Sequence, residues 1–338
     1  MKSKSSHISI INSLRGIAAL SVCLYHFVCT TTGYITNQNL LDIFHYGAKG
    51  VQVFFIISGI VIPLSMIKSE YEFSFFPKFI LKRFIRIEPP YIGVVILGII
   101  YLIVRNYIPS SADVDLTPSL RDVFLHLGYL VPFVEDAQWI NPVFWTLSIE
   151  FQYYLILALT IPLFLNKNKN LRFIFYGIIL VLPLLINSSQ AFYPYWSSYF
   201  ALGIFYVFWL TKKINKVEFF ILIGIASIVV VYFQGFLDLG IGYSTLLVIH
   251  YFKSFTNKIG NFFGNISYSL YLLHSIIGSA FVNFMSHRFT APVEKFFVIL
   301  IGVIITIFSA YIYWRLVEKP SQKLAQKIKL KRVKHSRP

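Results

Sequence analysis

The chain has 338 residues, of which 57% are hydrophobic, 18% are aromatic and 13% are charged. Soluble globular domains carry about 25% charged residues, so this composition excludes a soluble domain and predicts a polytopic membrane protein. The net charge of +16 is expected at a cytoplasmic membrane surface, beside membrane lipid, and we expect no nucleic acid partner.

Apolar runs long enough to cross a bilayer recur along the whole chain. They predict an all-α polytopic membrane protein with about ten transmembrane helices, at residues 9–29, 50–67, 90–104, 143–165, 172–187, 194–210, 218–234, 237–252, 264–285 and 295–317. Several of these runs are short, and the run at 237–252 is the weakest. We expect residues 1–320 to form one transmembrane domain and residues 321–338 to form a basic cytoplasmic tail.

The distribution of lysine and arginine predicts the orientation of these helices, because basic residues concentrate on the cytoplasmic side. If the N-terminus lies inside, the outer side keeps few of the 30 basic residues, namely Lys49, Arg105, Arg121, Arg288 and Lys295. We therefore expect both termini in the cytoplasm and the protein in the inner (cytoplasmic) membrane.

The first predicted helix carries two ionisable side chains, Arg15 and His26, eleven positions apart. On an α-helix this spacing places both on one face, with about 16 Å between them along the axis. An ionisable group near the bilayer centre costs at least about 2.5 kcal/mol, so such residues normally face a bundle interior or an aqueous cavity. The alternatives are an interfacial anchor for Arg15 and a histidine hydrogen-bonded to a neighbouring helix for His26.

A second basic group lies in the stretch "KRFIRIEPPY", where Arg83 and Arg86 are three positions apart. Pro89 and Pro90 are predicted to end or kink this segment as the third span begins. Arginine forks match phosphate oxygens, so the pair predicts a phosphate clamp. The alternative is that Arg83 and Arg86 only belong to the excess of basic residues expected on the cytoplasmic side of the membrane.

A carboxylate, Glu150, enters the fourth predicted span near its outer end, at about the depth of His26. It is expected to orient the imidazole and stabilise its charged form, as carboxylates do beside histidine bases. A structural ion pair with another helix is the alternative. His274 in the ninth span and Glu318 at the end of the tenth are predicted to be supporting residues, and two cysteines are too few for a metal site.

Six strings occur in an order that is typical of one family. They are "INSLRGIAALSVCLYHF", "GVQVFFIISGIVI", "KRFIRIEPPY", "FWTLSIEFQYYL", "ISYSLYLLH" and "VEKPS". Together they resemble the membrane-bound acyltransferase 3 family, and the resemblance covers nearly the whole chain. It implies an O-acyltransferase that moves an acyl group, usually acetyl, from acyl-CoA to a hydroxyl of a surface polysaccharide, a lipopolysaccharide or a lipid-linked sugar.

The resemblance also implies roles for particular residues. Arg15, His26 and Glu150 match the family's catalytic residues, with His26 as general base or, alternatively, as a transient acyl carrier. Arg15, Arg83 and Arg86 match its donor-binding residues, with acetyl-CoA or another short acyl-CoA as donor and no metal. Asn12 and Gln52 stand where the family often has acidic residues, so neither receives an acid or base role.

Two other functions remain open on the residues alone. A transporter or flippase-like carrier of a glycan or a small anion would use Arg15, His26 and Glu150 as an ion or substrate path. An inactive structural subunit is disfavoured by this set of costly ionisable residues.

Overall fold

The computed structural model describes residues 8–31, 33–107 and 115–330. Within these ranges the chain is helical and contains no β-strand. The α-helices are α1 (Ile10–Cys29), α2 (Gln38–His45), α3 (Gly50–Lys68), α4 (Phe76–Asn106), α5 (Leu120–Leu127), α6 (Trp145–Phe164), α7 (Lys169–Leu185), α8 (Tyr193–Leu210), α9 (Lys216–Gln234), α10 (Phe236–Tyr251), α11 (Lys258–Leu273), α12 (Ala280–Ser286), α13 (Pro292–Tyr313) and α14 (Lys319–Lys327). Two π-helical segments, His274–Ser279 and Trp314–Glu318, follow α11 and α13 directly.

Each of the ten predicted apolar segments falls on a helix, which confirms the all-α prediction. Among the described residues, seven helical stretches are long and apolar enough to cross a membrane. They are Ile10–Cys29, Gln38–Lys68, Phe73–Asn106, Pro142–Phe164, Lys216–Gln234, Lys258–Ser286 and Pro292–Lys327. The chain is therefore a multi-pass membrane protein, while the count of ten crossings and the orientation of the termini stay predictions.

The prolines Pro89 and Pro90 do not end a helix. Helix α4 includes both of them and runs from Phe76 to Asn106. Arg83 and Arg86 thus lie on the same helix as the third predicted span, and the prediction that the prolines could end this segment is wrong. Membrane helices tolerate prolines because neighbouring groups and small local adjustments satisfy the backbone that a proline leaves unpaired.

The chain divides into two compact units. The first contains Met1–Phe54, Glu88–Ser148 and Leu247–Lys319, and the second contains Phe55–Ile87, Ile149–Leu246 and Pro320–Pro338. Each unit draws on separate parts of the sequence, so neither matches a simple N-terminal or C-terminal half.

In the first unit α1 packs closely against α11. A Cβ atom on Gly16 would lie 2.6 Å from the Cβ of Phe263, and one on Gly264 would collide with the backbone of Asn12. Glycines allow two membrane helices to approach to backbone contact. This crossing sets the positions of the two helices relative to each other and so positions the residues further along both.

The loop after α4 is folded around a buried histidine, His126. Its Nδ1 lies 2.7 Å from the carbonyl oxygen of Asp122, and its Nε2 accepts the backbone N–H of Ile140 at 3.1 Å. Burial lowers the pKa of His126 below its usual value. At the surface, hydrogen bonds from Arg121 lower the pKa of Asp136 to about 2.

In the second unit α8 forms the core, since nearly every residue from Tyr193 to Phe208 is buried. The ring of Tyr153 on α6 lies 4.3 Å from that of Phe200, centroid to centroid. A Cβ atom on Gly203 would lie 2.6 Å from the carbonyl oxygen of Ile56, so α3 and α8 also cross at close range.

The predicted basic tail begins as packed structure. Ser321 and Ala325 of α14 are buried, and Lys82 Nζ donates to the carbonyl oxygen of Ile328 at 3.1 Å. Residues 331–338 of the predicted tail lie outside the described residues.

Candidate functional site

Two histidines meet in the first unit. His26 on α1 is half-buried, and its ring centroid lies 4.9 Å from that of His274, with the ring planes tilted by 52°. The two residues are far apart in the sequence, and the close crossing of α1 and α11 brings them together. The sequence singled out both but did not predict that they touch.

His274 has a fixed tautomer. Its side chain is fully buried, and Nδ1 lies 2.6 Å from the carbonyl oxygen of Tyr271. Because a carbonyl oxygen only accepts, Nδ1 carries the proton and Nε2 keeps a free lone pair. Within the described part of the chain, Nε2 is buried without a hydrogen-bond partner. His274 also opens the π-helical segment, a feature that is frequent at functional sites.

Arg15 lies on α1 eleven residues before His26, and both side chains are half-buried. Since α1 is a regular helix over Ile10–Cys29, the predicted geometry applies, with both side chains on one face and about 16 Å between them along the axis. One face of α1 therefore carries the guanidinium of Arg15 near its start and the imidazole of His26 near its end.

A second cluster lies in the second unit, around Glu150 on α6. Its Oε1 accepts the hydroxyl of Ser58 at 3.0 Å and a short hydrogen bond from the hydroxyl of Tyr154. The guanidinium of Arg83 lies 5.4 Å from the centroid of the Tyr154 ring and 5.2 Å from that of Phe79. Glu150 is thus hydrogen-bonded through one oxygen. It also lies near the guanidinium of Arg83, which packs against two aromatic rings.

Arg83 is a buried cation with unused hydrogen-bonding capacity. Only 6% of it is exposed, and its Nε is buried without a hydrogen-bond partner in the described residues. Glu150 attracts it electrostatically and Arg86 repels it, but no described carboxylate forms a direct ion pair with it. Buried guanidinium groups normally have partners, so this arrangement fits a site for an anionic ligand.

The predicted partnership between Glu150 and His26 stays a prediction. Within its own unit Glu150 has two hydroxyl donors and the nearby Arg83.

The sequence reasoning missed a third acidic residue, Glu88 on α4, which is only 2% exposed. It lies near Tyr129, whose ring stacks on Tyr91 at 4.9 Å and 19°. A signal was present, because an acidic residue within a membrane segment is a functional candidate by default. Starting the third span at residue 90, at the second of the two prolines, placed Glu88 outside it.

Glu318 acts as a structural acceptor. Its Oε2 receives the backbone N–H of Ser269 at 3.1 Å and the Ser269 hydroxyl at 2.5 Å. This contact ties α11 to the end of α13, in line with the supporting role predicted for it. Among the described residues, no group of three or more His, Cys, Asp or Glu side chains is placed to hold a metal ion.

A family model agrees with the resemblance seen in the sequence strings. The acyltransferase 3 model, described as an acyltransferase domain, matches residues 8–315. The chain belongs to the acyltransferase 3 family. Both clusters described above fall within the matched range, and the predicted family is confirmed.

Relatives of this acyltransferase 3 protein occur in Staphylococcus aureus. Proteins of strains COL and MSSA476, each named "Putative O-acetyltransferase", are 25% identical to it over 95% and 93% of its length. The alignments cover 58% and 57% of those proteins, so the chain spans somewhat more than half the length of the curated relatives it matches. No solved structure matches the chain.

Proposed function

We propose that the protein is an O-acyltransferase that uses acetyl-CoA, or another short acyl-CoA, at the cytoplasmic face of the inner membrane. The acceptor is a hydroxyl of a surface polysaccharide, a lipopolysaccharide or a lipid-linked sugar. The family and the names of the staphylococcal relatives support the reaction class. The observation that carries the proposal is the contact between His26 and the tautomer-fixed His274.

In the proposed reaction His26 is the general base. It takes the proton of the acceptor hydroxyl as the oxygen attacks the thioester carbonyl carbon. A C–O bond forms, the C–S bond breaks, and the proton passes to the leaving sulfur, giving free CoA thiol and an acyl ester. An imidazole suits this role because its neutral form has a nitrogen lone pair that accepts a proton.

His274 is assigned a positioning role in this reaction. We propose that its unprotonated Nε2, which has no hydrogen-bond partner among the described residues, accepts from His26 and stabilises the imidazolium that forms when His26 takes the proton. The same logic applies to the carboxylate of a catalytic triad. Because Nδ1 is held by the Tyr271 carbonyl, the acceptor is in place before the reaction begins.

The donor is proposed to bind through Arg83, Arg86 and Arg15. The buried Arg83 with its unpaired Nε supports a phosphate site, since a guanidinium offers planar, paired donors to phosphate oxygens. Arg86 follows three residues later on the same helix and adds a second positive charge. Glu150 is proposed to act in catalysis as a fixed negative charge held by Ser58 and Tyr154.

Two measurements test the proposed function. Membrane vesicles that contain the protein are given acetyl-CoA labelled on the acetyl group, and the release of CoA thiol is followed with and without surface glycan. An acyltransferase releases thiol only when acceptor is present and leaves the label on the glycan. A carrier would move glycan or a small anion without any thioester, and that result would overturn the proposal.

The second measurement is made on cells. Mass spectrometry of the surface glycans compares cells that express the wild type with cells that express His26→Ala at equal membrane abundance. We expect the acyl substituent to be present in the first and absent in the second, and the mass difference identifies the acyl group.

A further inference from the structure

A basic cavity lies in the second unit, outside the residues assigned to acyl transfer. It has a volume of about 450 Å³ and lies where α7 begins, α8 ends and α9 begins. Five basic residues and one acidic residue line it, namely Lys169, Arg172, Lys212, Lys213, Lys216 and Glu218. A concave site of this size, within the range of ligand pockets, and with this excess of positive charge, is suited to an anion.

The basic side chains are largely uncompensated. Lys169 Nζ lies 3.4 Å from Glu218, and this acidic side chain is already used by the backbone N–H of Asn215 at 2.8 Å. In the part of the chain that the structure describes, Lys212, Lys213 and Lys216 have no carboxylate partner. Mutual repulsion among these charges is relieved when an anion enters.

The polar wall of the cavity is held by hydrogen bonds within the protein. Arg172 Nη1 donates to the carbonyl oxygen of Lys213 at 3.2 Å, while its Nε is buried without a hydrogen-bond partner. The start of α9 is fixed by a capping box between Asn215 and Glu218, and the start of α7 by the side chain of Asn168. The positive ends of both helix dipoles add to the charge of the side chains.

The surroundings of the cavity distinguish an amphiphile from a soluble anion. On α9, directly after the basic rim, Val217 and Phe220 are 68% and 60% exposed. The indole of Trp209 lines the cavity and stacks on Phe219 at 5.0 Å. In a membrane such exposed apolar side chains contact acyl chains, so the basic cavity opens beside the place where lipid tails lie.

We propose that this cavity binds the phosphate of an anionic phospholipid headgroup. Phosphate is the group that clustered lysine and arginine at a membrane surface recognise, and basic pockets between membrane helices on the cytoplasmic side typically hold lipid headgroups. The ligand's acyl chains lie along the exposed apolar face of α9. Bound lipid neutralises the cavity and joins the starts of α7 and α9.

The test uses the full chain in nanodiscs of phosphatidylcholine with a small fraction of phosphatidylglycerol. Native mass spectrometry counts the phosphatidylglycerol molecules that remain bound after release from the disc. The cavity variant is Lys213→Gln with Lys216→Gln. Its matched control is Lys253→Gln with Lys258→Gln, which removes two lysines predicted on the same side of the membrane.

We expect the cavity variant to bind phosphatidylglycerol roughly 30-fold more weakly, because each basic residue at such a surface contributes several-fold to affinity. The control is expected to bind like the wild type. Lys213→Arg with Lys216→Arg keeps the charge and is expected to restore binding, which separates a lost site from a damaged fold.

Two results would overturn the proposal. Equal losses in the cavity variant and the control would mean that the lysines act only as general surface charge. A cavity variant that retains phosphatidylglycerol but loses binding of CoA would assign the cavity to a soluble phosphate ligand. Neither the binding of phosphatidylglycerol nor the binding of CoA requires acyl transfer. These measurements can therefore refute the lipid site without refuting the proposed function, and the reverse is also true.

Discussion

Two substitutions at His274 separate its positioning role from its packing role. In His274→Asn the side-chain amide nitrogen takes the place of Nδ1 and keeps the hydrogen bond to the Tyr271 carbonyl. In His274→Gln the amide reaches the place of Nε2 and keeps an acceptor beside His26, but the bond to Tyr271 is lost. Each variant therefore keeps one of the two functions of the imidazole: the asparagine keeps the donor to Tyr271, and the glutamine keeps the acceptor beside His26.

The expected magnitudes follow from the two hydrogen bonds. A hydrogen bond to a charged group contributes about 1.5–3 kcal/mol, and about 1.36 kcal/mol corresponds to a tenfold change in rate. His274→Asn is thus expected to lower kcat by roughly 10- to 150-fold with an unchanged KM for acyl-CoA. His274→Gln is expected to keep much of the activity but to lose about 0.5–1.5 kcal/mol of stability with the Tyr271 bond.

The assay measures transfer of labelled acetyl from acetyl-CoA to surface glycan per folded molecule, together with the melting temperature in detergent. Positioning by Nε2 predicts that activity and stability rank the two variants in opposite orders. If the asparagine variant is both the more stable and the more active, His274 only packs, and the assignment of its Nε2 is refuted.

Four further predictions concern other residues. His26→Ala is expected to lower turnover at least about 1,000-fold in a membrane-inserted protein, because it removes the general base. Arg83→Gln or Arg86→Gln is expected to raise the KM for acyl-CoA about tenfold, and to reduce discrimination against donors without the 3′-phosphate, because a charged contact to phosphate is lost. Glu150→Gln is expected to lower kcat about 100-fold with donor affinity nearly intact, since it removes a charge that acts in the transition state. The loop around His126 is expected to lose protection from hydrogen exchange as the pH falls below about 6.5, because burial lowers the pKa of this histidine and the folded loop requires its neutral form.

Each of these predictions has an outcome that contradicts it. Substantial turnover by His26→Ala would move the base elsewhere. Unchanged donor discrimination in the arginine variants would leave Arg83 and Arg86 as orientation signals. A Glu150→Gln variant that melts early but turns over normally when folded would make Glu150 structural. For the loop, His126→Gln should abolish the pH dependence, and protection that still falls with pH in this variant would exclude His126 as its cause.

Helix content was predictable because it depends on local pattern. Runs of apolar residues mark membrane helices whatever surrounds them, and every predicted run is helical. The boundary at Pro89 and Pro90 was wrong for the same reason, since a local rule about proline ignores neighbours that stabilise a helix through it. That error also kept Glu88 out of the predicted membrane segment.

The contacts of the site residues were not predictable from spacing. The contact of His26 with His274 depends on glycines that let α1 approach α11, and a sequence does not show which helices cross. The environment of Glu150 likewise depends on Ser58, which lies on a distant helix. The types of residue used in the site were visible in the sequence, while their partners are set by tertiary packing.

The π-helical turn at His274–Ser279 has a consequence for comparing this chain with its relatives. A π turn holds one residue more than an α turn, and each residue advances a helix by about 100°. The face of α12 is therefore rotated from the face that a helical wheel drawn through α11 would give. A relative with a regular α-helix at this point would align to this chain with a one-residue gap. After that gap, residues on the same helix face in the two proteins would differ in position by one residue.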